Sequence, residues 1–119
     1  MKNVLWVSRH EMTESQLRDL ARVMGDEVRL LPYTETVKDI AVLAPLLERA
    51  DAAAVVLPVE LLAGLMRFAG DKPVLQAVSG RRFTGRMITL PNGKTEPETA
   101  FEHLYWQQIV KLELETRRL

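Results

Sequence analysis

Hydrophobic residues in this chain form short continuous runs separated by stretches in which they recur at helical spacing. The first run, Val4–Val7, is apolar throughout, which is typical of a strand covered on both faces in a parallel sheet. Similar runs follow, bounded by glycine, proline or polar residues. The strands predicted from them are Val4–Val7, Glu27–Leu31, Ala52–Leu57, Pro73–Val78 and a short fifth strand, Met87–Leu90.

The stretches between these strands predict helices. Residues 13–16, Thr-Glu-Ser-Gln, have the form of a capping box, so a helix should begin there and end at Gly25. Residues 37–50 have a helical pattern interrupted by Pro45, which predicts a break, with Pro45 opening the second of two short helices. A third helix is predicted over residues 59–69, with Gly70 closing it.

The C-terminal part of the chain is also predicted to be helical. Residues 95–98, Thr-Glu-Pro-Glu, form a second capping box. Past Ile109, apolar and charged residues alternate as far as Leu114, a pattern that also fits a strand; helix is favoured because leucine, lysine and glutamate are good helix formers. The apolar residues assigned to this helix are Phe101, Leu104, Tyr105 and Ile109.

Strands alternating with helices predict one α/β domain over residues 1–119. We expect a small, doubly wound, Rossmann-like domain, with a mostly parallel sheet of about five strands flanked by helices. The expected strand order is 2-1-3-4, with the fifth strand at an edge. Ligands of such sheets bind beyond the carboxyl ends of the strands, near the point where the strand order reverses.

The charge balance narrows the range of partners. Lysine plus arginine equals aspartate plus glutamate at 16 each, so no overall field draws the protein to a long nucleic acid or an anionic membrane. Met1–Asn3 leads into a strand rather than a signal sequence, and no apolar run approaches the roughly 18 residues needed to span a bilayer. We therefore expect a cytoplasmic protein without a membrane partner.

Several kinds of active site are disfavoured by the residues present. The chain has no cysteine, and its two histidines, His10 and His103, are far apart in sequence, which argues against thiolate and zinc sites. Dinucleotide, Walker and nucleophile-elbow signatures are absent. Arg9-His10-Glu11 lacks the glycine that follows arginine and histidine in histidine phosphatases. No metal or cofactor is therefore expected.

Ser8, Arg9 and His10 are the first candidate site. They follow the first predicted strand and precede the helix that Thr13 caps. A hydroxyl, a guanidinium and an imidazole beside a helix N-terminus together suit a phosphate group. The alternative is that Ser8 and His10 only satisfy the amides of a turn and that Arg9 is solvated.

Two further segments extend this candidate site. Residues 79–86 follow the fourth predicted strand and contain two glycines and three arginines, which suit phosphate binding; the alternative is an exposed hairpin with arginines paired to surface carboxylates. Pro58 and Val59 follow the third strand, where backbone amides at a helix start can bind an anion. The candidate ligand-binding residues are Pro58, Val59, Ser79, Gly80, Arg81 and Arg82.

The sequence resembles the small stand-alone ring nucleases of type III CRISPR defence. The resemblance lies in residues 4–10, Val-Leu-Trp-Val-Ser-Arg-His, in residues 56–63, and in the arginine-containing segment after the fourth strand, and covers about the first 86 residues. It implies a Rossmann-like homodimer that binds a cyclic oligoadenylate across a two-fold axis, with cyclic tetra-adenylate as the expected ring. It also implies metal-independent cleavage in which the ligand's own 2′-hydroxyl attacks the adjacent phosphate.

The resemblance also implies roles for the candidate residues. Arg9 and either Arg81 or Arg82 would bind the scissile phosphate, Ser8 would orient the ribose, and His10 would act as general acid or base. The dimer would form through the helix at 59–69 and the C-terminal helix. Two other hypotheses stay open at this point: a non-catalytic sensor of a nucleotide signal, and an interaction module that uses an aromatic helix face.

Overall fold

The computed structural model, which describes residues 1–113 and 115–119, shows a mixed α/β fold with five strands and three α-helices. No helix among these residues is long and apolar enough to cross a membrane. The strands are β1 (Lys2–Val7), β2 (Val28–Tyr33), β3 (Ala52–Val55), β4 (Val74–Thr89) and β5 (Thr95–Gln108). The helices are α1 (Glu14–Met24), α2 (Ala44–Glu48), which a 3-10 turn at Ile40–Leu43 precedes, and α3 (Val59–Ala69).

The five strands form one sheet in the order β2-β1-β3-β4-β5. The first four strands are parallel, and β5 runs antiparallel to β4. The predicted order of the first four strands is therefore confirmed. The edge strand differs from the prediction, because Met87–Leu90 is no separate strand: its first three residues end β4, and β5 forms the edge.

Both faces of the parallel part of the sheet are covered, which explains its continuous apolar runs. On one face, Val4 and Trp6 of β1 pack in a core cluster with Leu20 of α1. On the other face, Leu5 of β1 shares a second cluster with Leu65 of α3 and with residues of α2. Every residue of β3 is buried, as expected for a central strand.

The predicted helix boundaries are largely confirmed. Thr13 Oγ1 accepts a hydrogen bond from Gln16 N, and Gln16 Oε1 accepts one from Thr13 N, so the capping box is complete. Gly25 ends α1 in the left-handed conformation, and Pro45 lies in the first turn of α2 after the 3-10 turn. The end of the second strand differs from the prediction: it was expected at Leu31, but β2 continues through Pro32 to Tyr33, because an edge strand tolerates the missing N–H group of proline.

The predicted C-terminal helix is wrong, because residues 95–108 form β5. A β-bulge explains the misleading spacing: Val78 pairs with Tyr105 and Ser79 pairs with His103, so Leu104 is an extra residue. This extra residue brings His103 and Trp106 to the same side of the sheet, although strict alternation would separate them. The resulting i, i+3 spacing has the appearance of a helix.

The segment 79–86, predicted to follow the fourth strand, is part of that strand and forms a hairpin with β5, as in the alternative interpretation. It belongs to β4, which pairs with β3 only through Val74 and Leu75 and then continues with β5 as a two-stranded antiparallel ribbon. We call this ribbon, β4 and β5 between residues 79 and 103, the arm. It raises the radius of gyration to 17.5 Å, compared with about 13 Å for a compact chain of this length.

The chain beyond β5 forms neither helix nor strand at residues 109–113 and 115–119, so the predicted helical continuation is wrong there. Ile109 and Leu112 are half-buried against the core cluster that contains α3. Ile109 N donates to Val74 O at 2.8 Å, which holds the start of this segment to β4. Leu114, which the helical prediction also included, lies outside the described residues.

Candidate functional site

A cavity of about 310 Å³ lies at the carboxyl edge of the sheet, above β1 and between the ends of β2 and β3. This is the place where the strand order reverses and where open α/β sheets bind their ligands. Its walls are mostly apolar, with charged and hydroxyl groups on the side that follows β1 and β2. The lining residues are Val7, Ser8, Arg9, His10, Glu35, Thr36, Val37, Val56, Leu57, Pro58 and Leu61.

The loop after β1 has a firmly held backbone and two exposed side chains. Ser8 is buried, its amide donates to Tyr33 O at 3.2 Å, and its Oγ accepts from His10 N at 3.1 Å. His10 O accepts from Trp6 Nε1 at 2.9 Å. The side chains of Arg9 and His10 are exposed. The loop therefore presents a guanidinium and an imidazole from a fixed position beside the cavity.

Arg9 is oriented by a neighbouring loop. Its Nη2 donates a hydrogen bond to Thr36 Oγ1, which lies beyond the end of β2. A guanidinium carries five N–H donors, so four remain after this contact, enough for a bidentate contact to an anion. Glu35 is the acidic residue of the same wall, so the cavity holds charges of both signs.

The start of α3 also lines the cavity. Pro58 is the N-cap residue and makes no side-chain capping hydrogen bond, and the first-turn amides of a helix have no intrahelical partner. Together with the helix dipole, such amides favour an anionic group. Pro58 and Leu61 line the cavity, so this helix terminus shares it with Ser8, Arg9 and His10.

The structure unites only part of the predicted site. Ser8, Arg9, His10 and Pro58 share the cavity, and Val59 adjoins it as the first residue of α3. The remaining predicted ligand-binding residues are in the arm and do not line the cavity; they are Ser79, Gly80, Arg81 and Arg82.

Arg81 and Arg82 have partners within the arm. Arg81 Cζ lies 5.2 Å from the centre of the Phe101 ring, and Arg82 Nε is 3.5 Å from Glu102 Oε2. Because β4 is parallel to β1 and β3, the arm leaves the sheet at the same edge as the cavity, with β3 between them.

The loop after β2, which lines the cavity with Glu35, Thr36 and Val37, was missed from the sequence. This strand neighbours β1 in the sheet. The rule that identified Ser8 and Pro58, residues just after the carboxyl ends of adjacent strands, would have included this loop. Its lack of histidine, arginine or glycine made it inconspicuous.

The composition of the cavity suits a polar, anionic ligand with an apolar part. Arg9, His10 and the α3 amides supply hydrogen-bond donors, while Val37, Leu57 and other aliphatic groups supply an apolar wall. Within residues 1–113 and 115–119, no three histidine, aspartate or glutamate side chains are grouped so that they could hold a metal ion. Comparisons of the chain with protein-family models, curated proteins and solved structures find no match.

Proposed function

We propose that the cavity binds one nucleotide unit of a cyclic oligoadenylate and that the protein cleaves this ring by metal-independent transesterification. The observation that carries this proposal is the meeting of Arg9, His10 and the uncapped start of α3 around one cavity at the switch point of the sheet. The parallel strand order and the helices on both sheet faces support a doubly wound, Rossmann-like fold of the kind that binds nucleotides there.

The volume of the cavity limits how much of the ligand it can enclose. A volume of 310 Å³ lies at the lower end of the range for small-molecule sites, about 300–1,000 Å³. One nucleoside with its phosphate is a suitable occupant, and the rest of the ring then lies outside. The aliphatic side chains Val56 and Leu61 would contact the base, and the phosphate would lie between Arg9 and the α3 amides.

The proposed reaction needs only groups that the ligand and the loop supply. The ribose 2′-oxygen attacks the adjacent phosphorus, its proton passes to the His10 imidazole, the bond from phosphorus to the 5′-oxygen breaks, and that oxygen takes up a proton. Arg9 would stabilise the charge that develops on the phosphoryl oxygens. The products end in a 2′,3′-cyclic phosphate and a 5′-hydroxyl, and no water is consumed.

The test is incubation of the protein with cyclic tetra- and hexa-adenylate in EDTA, followed by chromatography and mass spectrometry. The expected product is linear and has the same mass as the ring if one bond is cleaved. Arg9→Ala and His10→Ala should each lower the cleavage rate about 100-fold. Arg29→Ala, an exposed arginine on β2 outside the cavity, is the matched control and should cleave at the wild-type rate.

A non-catalytic sensor of the same signal is the second candidate, favoured by the exposure of His10. A thermal shift with the ring that Arg9→Ala abolishes, without any linear product, would assign the protein to this class. The absence of both a thermal shift and a product for wild type would contradict both candidates.

A further inference from the structure

Among the described residues that line the cavity, Glu35 carries the only carboxylate. It is exposed, and it forms no salt bridge with any other residue that the structure describes. Because like charges repel, an unpaired carboxylate opposes the binding of an anion beside it. Glu35 therefore lowers the affinity of the cavity for every anion, and the amount depends on the charge of that anion.

Glu35 is held near Arg9 by the residue that follows it in the chain. Thr36 Oγ1 accepts the hydrogen bond from Arg9 Nη2, and consecutive Cα atoms are only about 3.8 Å apart. Val37, the next residue, is buried in the core cluster that contains Leu5, which fixes the other side of this loop. The field of an exposed charge extends about 8 Å at physiological ionic strength. An anion bound by Arg9 thus lies within the field of Glu35.

The fixed charges around the cavity nearly cancel. Arg9 contributes one positive charge and Glu35 one negative charge. The start of α3 adds about half a positive charge through its dipole and free amides. His10 adds to this sum only when it is protonated. The cavity therefore attracts anions weakly, although an arginine and a helix terminus both line it.

This balance favours a singly charged phosphate group over a doubly charged one. The attraction to a fixed charge grows in proportion to the charge of the ligand, whereas the free energy needed to remove its water grows with the square of that charge. A phosphodiester carries one negative charge. A phosphomonoester carries nearly two at neutral pH, because its second pKa is about 6. The second charge gains little from the cavity and is repelled by Glu35.

We infer that Glu35 is a specificity-determining residue that keeps phosphomonoesters out of the cavity; this rests on the proposed function, which places the phosphate of the ligand beside Arg9. The excluded class includes nucleoside monophosphates and the abundant nucleoside triphosphates of the cell. Glu35 acts through repulsion of the wrong ligand, a common source of specificity, and takes no part in proton transfer.

The test compares two ligands that differ by one charge, adenosine 5′-monophosphate and its methyl ester. Their affinities are measured by NMR titration at about pH 8, where the monophosphate carries two charges. Wild type should bind the methyl ester more tightly. Glu35→Gln should raise the affinity of the monophosphate relative to the ester about fivefold, an estimate for two unit charges separated by a partly solvated wall. At about 1 M salt, where the Debye length is about 3 Å, most of this change should disappear.

Glu48→Gln is the matched control. Glu48 is exposed and ends α2 shortly before β3 begins, so it lies at the amino edge of the sheet, away from the cavity. This variant removes the same charge from the protein and should keep the wild-type ratio of affinities. NMR spectra should show that both variants are folded.

Four results would overturn the role of Glu35. They are an unchanged ratio in Glu35→Gln, an equal rise of the ratio in Glu48→Gln, an equal loss of affinity for both ligands in Glu35→Gln, and a wild type that binds neither ligand. An equal loss would show that the carboxylate accepts a hydrogen bond from a group that the two ligands share.

The outcome can be separated from that of the proposed cleavage. A ratio that changes as expected in a protein that cleaves no ring would support the role of Glu35 and contradict the proposed function. If the ring is cleaved, ATP in EDTA should inhibit Glu35→Gln at a concentration about fivefold lower than wild type requires. Cleavage with equal inhibition of both proteins would overturn the role of Glu35 and leave the proposed function intact.

Discussion

His103 Nε2 on β5 lies 2.8 Å from Asp19 Oδ2 on α1, which joins two positions 84 residues apart in the chain. The side chain of His103 is 4% exposed and that of Asp19 is 20% exposed, so the pair is mostly shielded from water. Arg22 Nε also donates to Asp19 Oδ1, at 2.8 Å. This contact fixes the base of the arm to the helix that covers the sheet.

The Asp19–His103 contact should appear in the titration of Asp19. Its hydrogen bond with His103, and next that with Arg22, lower the pKa of the Asp19 carboxyl below its ordinary value of 3.8. Because this pKa is lower in the folded state, the contribution to stability is complete above the unfolded value and is lost as the pH falls through the folded value. His103→Gln should raise the pKa of Asp19 more than Arg22→Gln does, as measured by NMR titration.

The contribution of the Asp19 carboxylate to stability should depend on pH. At neutral pH, Asp19→Asn should unfold at a lower urea concentration than wild type, because the charge-assisted contacts are lost. As the pH falls from 3.8 through the lowered pKa of Asp19, the two proteins should converge, since protonation removes the same contacts from wild type. Urea midpoints that differ by the same amount at every pH would contradict the assigned role of this carboxylate.

Trp106 should make the largest single side-chain contribution to holding β5 on the core. It is buried, its Nε1 donates to Gln16 O at 2.9 Å, and its ring meets Trp6 edge-on with ring centres 6.2 Å apart. Trp106→Phe removes the hydrogen bond and part of the contact, so the free energy of unfolding should fall by about 1–2 kcal/mol. Tyr105→Phe, at a half-exposed neighbour, should change it by less than about 0.5 kcal/mol in urea denaturation.

The two hydrogen bonds of the α1 capping box, between Thr13 and Gln16, should be energetically coupled. Thr13→Ala should lower the free energy of unfolding by about 1 kcal/mol, since it exposes the amide of Gln16 that Thr13 Oγ1 satisfies. Gln16→Ala should remove the reciprocal bond to Thr13 N. The double variant should cost less than the sum of the two single variants, because each bond positions the other. Thr34→Ala, at an exposed position, is the control.

Ser8 should act as a positioning residue for His10. Ser8→Ala removes the acceptor for His10 N, so amide exchange at residue 10 should accelerate about tenfold, the equivalent of a weakened hydrogen bond. If His10 acts on a bound nucleotide, the cleavage rate should fall while binding changes little. Ser15→Ala on α1 should alter neither quantity, and unchanged exchange in Ser8→Ala would show that the turn is held by other contacts.

The parallel core could be predicted because its signals are local. Continuous apolar runs, the capping box at Thr13 and the glycine at the end of α1 each act within a few residues, and the structure agrees with them. The arm could not be predicted in the same way. Its strands pair over a long separation, and the bulge at Leu104 gives a strand the spacing of a helix.

Only part of the candidate site could likewise be predicted from the sequence. Ser8 and Pro58 were found because they follow adjacent buried strands, and the structure places them on one cavity. Arg81 and Arg82 were assigned to that site because they follow the fourth predicted strand in a segment whose glycines and arginines suit phosphate binding. In the structure, pairing with β5 extends β4 through them, and Phe101 and Glu102 contact their guanidinium groups.

The single 16-residue strand β4 belongs to two units of different cooperativity. Its first residues are buried beside β3, so their amide protons should exchange only when the whole domain unfolds. Beyond Gly80 the ladder has only β5 as a partner, and the amides there should exchange through local opening at far lower free energy. One strand thus joins a protected part beside β3 to a part, paired with β5 alone, that unfolds separately. Binding of another molecule to the part paired with β5 would slow amide exchange there and leave exchange beside β3 unchanged.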